Sequence, residues 1–442
     1  MKNNSLTFSE LEKIIKIKNT KNVDKNGKYT FFKILKSMEE DSEDVLYFPI
    51  YLKESDDQGG WYPKDSDTRR KINEYVIDHP DYTYILDEET YEKLDNKELK
   101  IIIVPNIMES IDELFNYFMN NRDFKTILVT GSVGKTTTVG LIKDVIKDNV
   151  LRIYTKRITP IILKTNVINY LTNDIDYLVL EAAFYYRHHV KYFSETLKPS
   201  ISVCLNILPE HIGVDGVSNV EEITKCKLQV FKYSKVALIN SQDKELKKIK
   251  FKDNKIIYND FEMSSNVEKV YDIYDFNPKI DLYIKTYLSK LQYSSAYCVG
   301  KVLNIPEKSI LERLNHSVPV EHRVNKNVLF DKNIIFDGDV SGVARFSLFT
   351  NHFYDRAVLI IRSLTTNGEE EEDYSQLPKY FNRFETVYLF NDLVDLDALK
   401  ADNVKIVSDH NFIKQIDDDV QIFYHYGSFY RKFSEFNLEN LR

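Results

Sequence analysis

Three stretches of this sequence hold residue types at spacings that suit phosphoryl chemistry. The first is "TGSVGKTT", Thr130 to Thr137. Gly131 and Gly134 permit a sharp backbone turn. Amide groups in such a turn, around Ser132, attract an anion together with the N-terminus of a following helix. Lys135 then reaches outer phosphates, and the hydroxyl of Thr136, followed by Thr137, suits Mg2+. Only Ser132 and Val133 separate the two glycines, whereas the usual P-loop places four residues there. The second stretch is "DYLVLE", which ends on Glu181. A carboxylate at the end of an apolar run is costly unless it meets a cation, and a Mg2+ ligand fits that demand. The third is "NILPEHIG", which sets Asn206 and His211 just beyond another apolar run.

These residues need a scaffold that brings strand ends together. "TILVT", "DYLVLEAA", "SISVCLNI" and "SKVALIN" are near-continuous apolar runs with helical stretches between them, the pattern of buried parallel strands. Ligands gather at the carboxyl ends of such strands. After the phosphate loop, Val139, Leu141, Ile142, Val145 and Ile146 give a helix an apolar stripe that docks on the sheet. Upstream, "DVLYFPIYL", "YTYILD" and "KIIIVP" alternate with short helices. Downstream of "PVEHRV", "NIIFDGD", "AVLIIRS", "ETVYLF" and "VQIFYHY" are again strands at helix-length spacing. The expected fold is α/β with three domains: a small N-terminal α/β domain over 1–122 for the acceptor substrate, a central P-loop parallel-sheet ATPase domain over 123–324, and a smaller Rossmann-like C-terminal domain over 325–442. At the start of the chain, Ser9 and Glu12 are expected to form a helix capping box.

The chain has 442 residues and a net charge of −8. Apolar residues make 43% and charged residues 29%, an ordinary globular composition. An acidic balance disfavours nucleic acid as a partner, which demands a basic face. Three cysteines, Cys204, Cys226 and Cys298, lie far apart and imply neither a disulfide framework nor a zinc cluster. No run is long enough to span a membrane, and a reducing cytoplasm is the default expectation. "EEEED" from Glu369 reads as a solvated acidic loop, His188 and His189 as surface residues, and Trp61 either as lining of an acceptor pocket or as ordinary packing.

Taken together, T-G-S-V-G-K-T-T, Glu181 and "NILPEHIGVDGVSNVEEITKCKLQVF" resemble the Mur ligases, ATP-dependent amide-bond ligases of peptidoglycan synthesis. That family's loop is TGTxGKT or close to it, which accounts for the short spacing. The resemblance implies further roles. Asn206 to His211 match the family's Asn-x-x-x-Asp-His, with Glu210 in place of Asp. Lys227 takes the place of a lysine that is often carbamylated, with Lys225 as the alternative. Gln292, in "SKLQYSSAYCVG", takes the place of an adenine-contacting Asn. Arg323 would contact phosphate, and Asp337 in "IIFDGD" would help hold the nucleoside. "FYHYGSFYRKF" resembles a segment of the ligase that adds D-Ala-D-Ala, with Tyr426 replacing a Lys. The first 120 residues look like the uridine-nucleotide domain of the later Mur ligases, without their "DGHxF" segment.

The chemistry so implied uses ATP and two Mg2+ ions. Lys135, His211, Lys227 and Arg323 would act on the reacting groups. Thr136, Glu181, His211 and a carbamylated Lys227 would hold metal. The substrates would be a small-molecule acid, a nucleotide sugar or peptide of a cell-envelope precursor for peptidoglycan or capsule, and an amine or amino acid. Two alternatives stay open at this point: a folylpolyglutamate-type ligase, and a degenerate nucleotide-binding scaffold.

Overall fold

The computed structural model describes residues 3–34, 44–50, 71–153, 158–184, 186–210, 212–276, 279–318, 324–338, 343–364, 373–393 and 396–426. The chain divides into two compact units, residues 1–126 with 149–178, and residues 127–148 with 179–442.

In the first unit, helix α1 (Phe8–Ile14) opens on Thr7 rather than Ser9. Thr7 and Glu10 form the capping box, because Leu6 and Thr7 are still extended and the helix can only start after them. A five-stranded sheet follows. Its strands are β1 (Asn19–Lys21), β2 (Phe31–Lys33), β3 (Val45–Tyr47), β4 (Thr83–Leu86) and β5 (Lys100–Ile103). They lie in the order β1-β5-β4-β3-β2, with only β1 antiparallel to its neighbour. Helix α2 (Ile107–Asn120) starts where Asn106 accepts a hydrogen bond from the Glu109 N–H. It buries Ile107, Ile111, Leu114, Phe115 and Phe118, positions three and four apart that share one helix face. The helix Pro160–Tyr170 packs on α2. Its Asn169 bonds both the N–H and the carbonyl of Phe32 at 2.9 Å, as a strand neighbour would.

The second unit carries the phosphate loop. Strands β6 (Lys125–Thr130), β7 (Tyr177–Glu181), β8 (Ile201–Cys204), β9 (Val236–Ile239) and β10 (Lys269–Asp272) lie in the order β10-β9-β8-β6-β7. The β10-β9, β9-β8 and β8-β6 pairs are parallel, so their carboxyl ends meet on one edge. Helix α3 (Lys135–Ile146) follows the loop and buries Val139, Leu141, Ile142 and Val145. Helix α4 (Val220–Leu228) is capped by Asn219. Helix α5 (Tyr287–Val302), capped by Thr286, packs along α3.

This unit also holds a six-stranded sheet. Its strands are β11 (Asn325–Leu329), β12 (Lys332–Asp337), β13 (Ala357–Ile361), β14 (Thr386–Phe390), β15 (Val404–Val407) and β16 (Gln421–His425). Their order is β11-β12-β16-β13-β14-β15, parallel except for β11. Separate apolar clusters cover its two faces, one around Leu359, Leu389 and Phe423, the other around Ile360, Phe390 and Tyr424. This double burial accounts for strands that read as continuous apolar runs. Helix α6 (Val343–Phe349) follows β12. Just beyond it, the Asn351 carbonyl accepts from the Tyr287 N–H at 2.8 Å, at the first residue of α5. Among the described residues no helix is long and apolar enough to cross a membrane. The three cysteines are free.

Candidate functional site

Thr130 is fully buried at the end of β6, and its hydroxyl donates to the Ala182 carbonyl at 2.9 Å. The chain then turns. Gly131 has φ +146°, and a Cβ there would come 3.0 Å from the Leu205 Cβ. Gly134 has φ +89° and is the residue before α3; its Cβ would meet Leu288 Cδ1 at 3.1 Å and Gln292 Nε2 at 3.2 Å. Both positions therefore demand glycine, by backbone conformation and by space.

The interior of the turn differs from the expected row of anion-facing amides. The N–H groups of Ser132 and Val133 both donate to Asn206 Oδ1 at 3.0 Å, and Asn206 Nδ2 donates to the Val133 carbonyl at 3.1 Å. A buried side-chain amide thus satisfies a buried turn, as buried N–H groups require. Attraction for an anion would rest instead on the N-terminus of α3 and on Lys135. The Lys135 ammonium donates to the carbonyls of Gly131 (2.8 Å) and Ser132 (2.7 Å).

Ser132 also draws in a second lysine. Lys227 is 1% exposed, and its Nζ donates to Ser132 Oγ at 2.9 Å. The same hydroxyl accepts from the Leu208 N–H at 2.9 Å. Burial, and then the neighbouring Lys135 charge, push the Lys227 amine down to about 7. Lys225, two residues earlier on α4, points the other way. It is partly exposed and pairs with Glu221 one turn back at 2.7 Å. A spacing of two on a helix rotates side chains by about 200°, so only one of the two lysines can face the loop.

Glu181 is buried at the carboxyl end of β7, the strand beside β6. Thr136 and Thr137 are buried in the first turn of α3. Gln292 lies on α5 and its Nε2 reaches the Gly134 carbonyl at 3.5 Å. The loop residues, Lys135, Lys227, Gln292 and Asn206 are thereby brought into one neighbourhood. Asp337 ends β12 in the six-stranded sheet and is fully buried. Its carboxylate meets the Arg345 guanidinium at 3.0 Å and His425 Nδ1 at 3.2 Å. A nucleoside hydroxyl at Asp337 would share the carboxylate with those two groups. Tyr426 donates its N–H to the Asp337 carbonyl at 2.9 Å. His189 is buried, not on the surface: it begins a helix and sits edge-on to Phe193, and burial pushes its imidazole down to about 4. His211, Arg323, Trp61 and Glu369 lie outside the described residues.

Two residues of this neighbourhood were not singled out from the sequence. Asn240 and Asp243 follow β9 and bond the peptide groups on either side of Asn206. The available signal was their place, just past the carboxyl end of a buried parallel strand in "ALINSQD".

The middle of the chain is similar to a known domain. Residues 129–296 match the Mur ligase middle domain. The UDP-N-acetylmuramoylalanine--D-glutamate ligase of Pseudothermotoga lettingae is 28% identical over 302 residues, 66% of each chain. The match thus spans just under two thirds of that relative's length. MurF from Acinetobacter baumannii shares the fold with a TM-score of 0.70 at 13% identity, over 100% of this chain and 99% of that one. The MurF ligase from Thermotoga maritima in complex with ADP gives 0.65 at 16% identity, over 90% and 94%. The short TGSVGKT loop and the lysine buried on it both fall within the segment that matches the Mur ligase middle domain.

Proposed function

We propose that this chain is an ATP-dependent, ADP-forming C–N ligase that acts through an acyl phosphate. The observation that carries the reading is the pair of lysines on one phosphate loop. Lys135 is set to reach transferring phosphates, and Lys227 is buried at the loop with a depressed pKa. In the first step a substrate carboxylate oxygen attacks the γ-phosphorus of ATP, and ADP leaves. In the second an amine nitrogen attacks the acyl carbon; phosphate leaves and the amine gives up its proton. Two anions must approach each other first, and Lys135 with Arg323 would neutralise that charge.

The donor set fits Mg2+. Thr136 offers a hydroxyl at the start of α3, and Glu181 a buried carboxylate at the adjoining strand end. Among the described residues no group of three or more His, Cys, Asp or Glu gathers to form a protein-only cage. Mg2+ at a nucleotide site takes one or two protein oxygens and completes its shell with phosphate and water. Thr136 and Glu181 would hold one ion, and His211 with a carbamylated Lys227 a second. Bound there, Mg2+ would screen phosphate charge and orient the carboxylate. Gln292 and Asp337 would contact the nucleoside.

The working division is an acceptor-binding domain over 1–122, an ATP-binding domain over 123–324 and a C-terminal domain over 325–442. The acid is read as a cell-envelope precursor, a nucleotide-linked sugar acid or peptide destined for peptidoglycan or capsule, handled in the cytoplasm and joined to an amino acid or amine. The glutamate ligase relative, named for a uridine-nucleotide muramoyl substrate, supports that class.

The test is phosphate release from ATP with nucleotide sugar acids and folates crossed against amino acids and simple amines. One productive pair identifies the substrates. A folate acceptor would replace the envelope reading, and nucleotide binding with no release across the panel would leave a scaffold. In the active pair, Glu181→Gln should raise the Mg2+ concentration for half activity by about tenfold or more, about 1.4 kcal/mol of ion binding. An unchanged Mg2+ titration would move the metal away from Glu181.

A further inference from the structure

The phosphate loop is shaped by a neighbouring segment, and that segment is itself held. Strands β6 and β8 pair in parallel up to Thr130 and Cys204. The pairing continues beyond them: the Leu205 N–H donates to the Thr130 carbonyl at 3.0 Å, and the Ser132 N–H to the Asn206 carbonyl at 3.0 Å. Asn206 then holds the Ser132 and Val133 amides and the Val133 carbonyl, as described above. The turn after β9 grips Asn206 from the far side. Asn240 Nδ2 donates to the Leu205 carbonyl at 2.9 Å. Asp243 Oδ2 accepts from the Ile207 N–H at 3.0 Å. The other Asp243 oxygen accepts from the N–H groups of Glu245 (2.9 Å) and Leu246 (3.0 Å).

We propose that Asp243, assisted by Asn240, is a positioning residue that sets the phosphate loop through Asn206. Resting on the nucleotide-site reading, it says how that site keeps its shape before nucleotide arrives. The peptide groups on both sides of Asn206 are fixed, so the side chain has one orientation to offer the loop. A carboxylate is a costly group to bury. Three N–H donors offset that cost, and two of them anchor the carboxylate to its own turn. The remaining oxygen is committed to Ile207. A tenfold loss of preorganisation at this point would pass directly to the loop, since a mis-set cradle must be rebuilt by the ligand.

Asp243→Asn isolates the link. The turn presents two N–H groups and Ile207 presents one. The amide oxygen therefore goes to the turn, and the NH2 is left facing the Ile207 N–H, donor against donor. The probe is fluorescent ADP with Mg2+ on the full chain, with the melting temperature read in parallel without nucleotide. We expect Asp243→Asn to weaken nucleotide about tenfold. Asn206→Ala should weaken it at least as much, and the double variant no further than Asn206→Ala alone. Tyr258→Phe serves as the control: the Tyr258 hydroxyl bonds Glu245 in the same turn at 2.5 Å, away from Asn206. It should lower the melting temperature with wild-type affinity. If Asp243→Asn melts earlier but binds nucleotide like the wild type, or if the two losses multiply in the double variant, the proposal is wrong. If the unmodified chain binds no nucleotide, the nucleotide-site reading itself falls.

Discussion

Replacing Lys135 by alanine should abolish turnover and leave the chain folded. The ammonium sits over the loop on the carbonyls of Gly131 and Ser132, and it must leave them for phosphate oxygens when nucleotide binds. Bonds between an ammonium and an anionic oxygen are the stronger kind, so the exchange runs toward phosphate. As charge moves between the γ-phosphate and the carboxylate, that contact stabilises the transition state. Losing one such donor costs about 3 kcal/mol or more, on the order of a hundredfold in rate. The two carbonyl contacts are worth about 1 kcal/mol each in stability. Melting should therefore fall by only a few degrees, while circular dichroism stays unchanged. Phosphate release measured with the productive substrate pair decides it. Near-normal ATP consumption by Lys135→Ala would remove this loop from the chemistry.

Much of the scaffold was legible because buried parallel strands leave a strong mark. "TILVT", "SISVCLNI" and "AVLIIRS" are almost wholly apolar, and each holds a strand whose residues there are buried. The edge strand β10, Lys269–Asp272, was not seen. It is half exposed and mixed in composition. The small antiparallel sheet of Lys250–Lys252, Lys255–Tyr258 and Phe261–Ser264 was missed too, though its first turn carried a usable signal. Asp253 and Asn254 both have positive φ between paired Lys252 and Lys255, the demand of a two-residue primed turn that Asp and Asn tolerate. At the site, the glycines and Lys135 could be read because their conformations and charges are local. The grip of Asn206 on the loop could not. It joins residues 74 positions apart, and an Asn after a strand looks the same whether it bonds a ligand or a turn. Asp243 is hidden for the same reason, since its partners are backbone amides, which leave no trace in sequence.

Lys227→Ala should be almost inactive, and the structure now separates it from its neighbour. Lys225 is partly exposed and paired with Glu221, so Lys225→Ala should cost little in stability and little in rate. Lys227 is buried with its amine on Ser132. At pH 7 an ordinary lysine is unprotonated in only about three molecules per ten thousand. With its pKa pushed down to about 7, Lys227 is unprotonated in roughly half of them, and an unprotonated amine is the form that adds CO2. The carbamate so formed carries one negative charge and two oxygens suited to a hard cation. The stability consequence has a definite sign. Between pH 7 and 10.5 the unfolded chain binds a proton here that the folded chain does not, so this site makes stability rise with pH across that window. Lys227→Met, which buries an apolar chain of similar length, should flatten that rise and melt no lower than the wild type at pH 7. Activity should move the other way. Both Lys227 variants should lose about a hundredfold or more in phosphate release, on the scale of a transition-state contact. Acetate added to Lys227→Ala should restore part of it by filling the vacated carboxylate position. Full activity in Lys227→Ala, or loss in Lys225→Ala instead, would show that the buried amine serves packing alone.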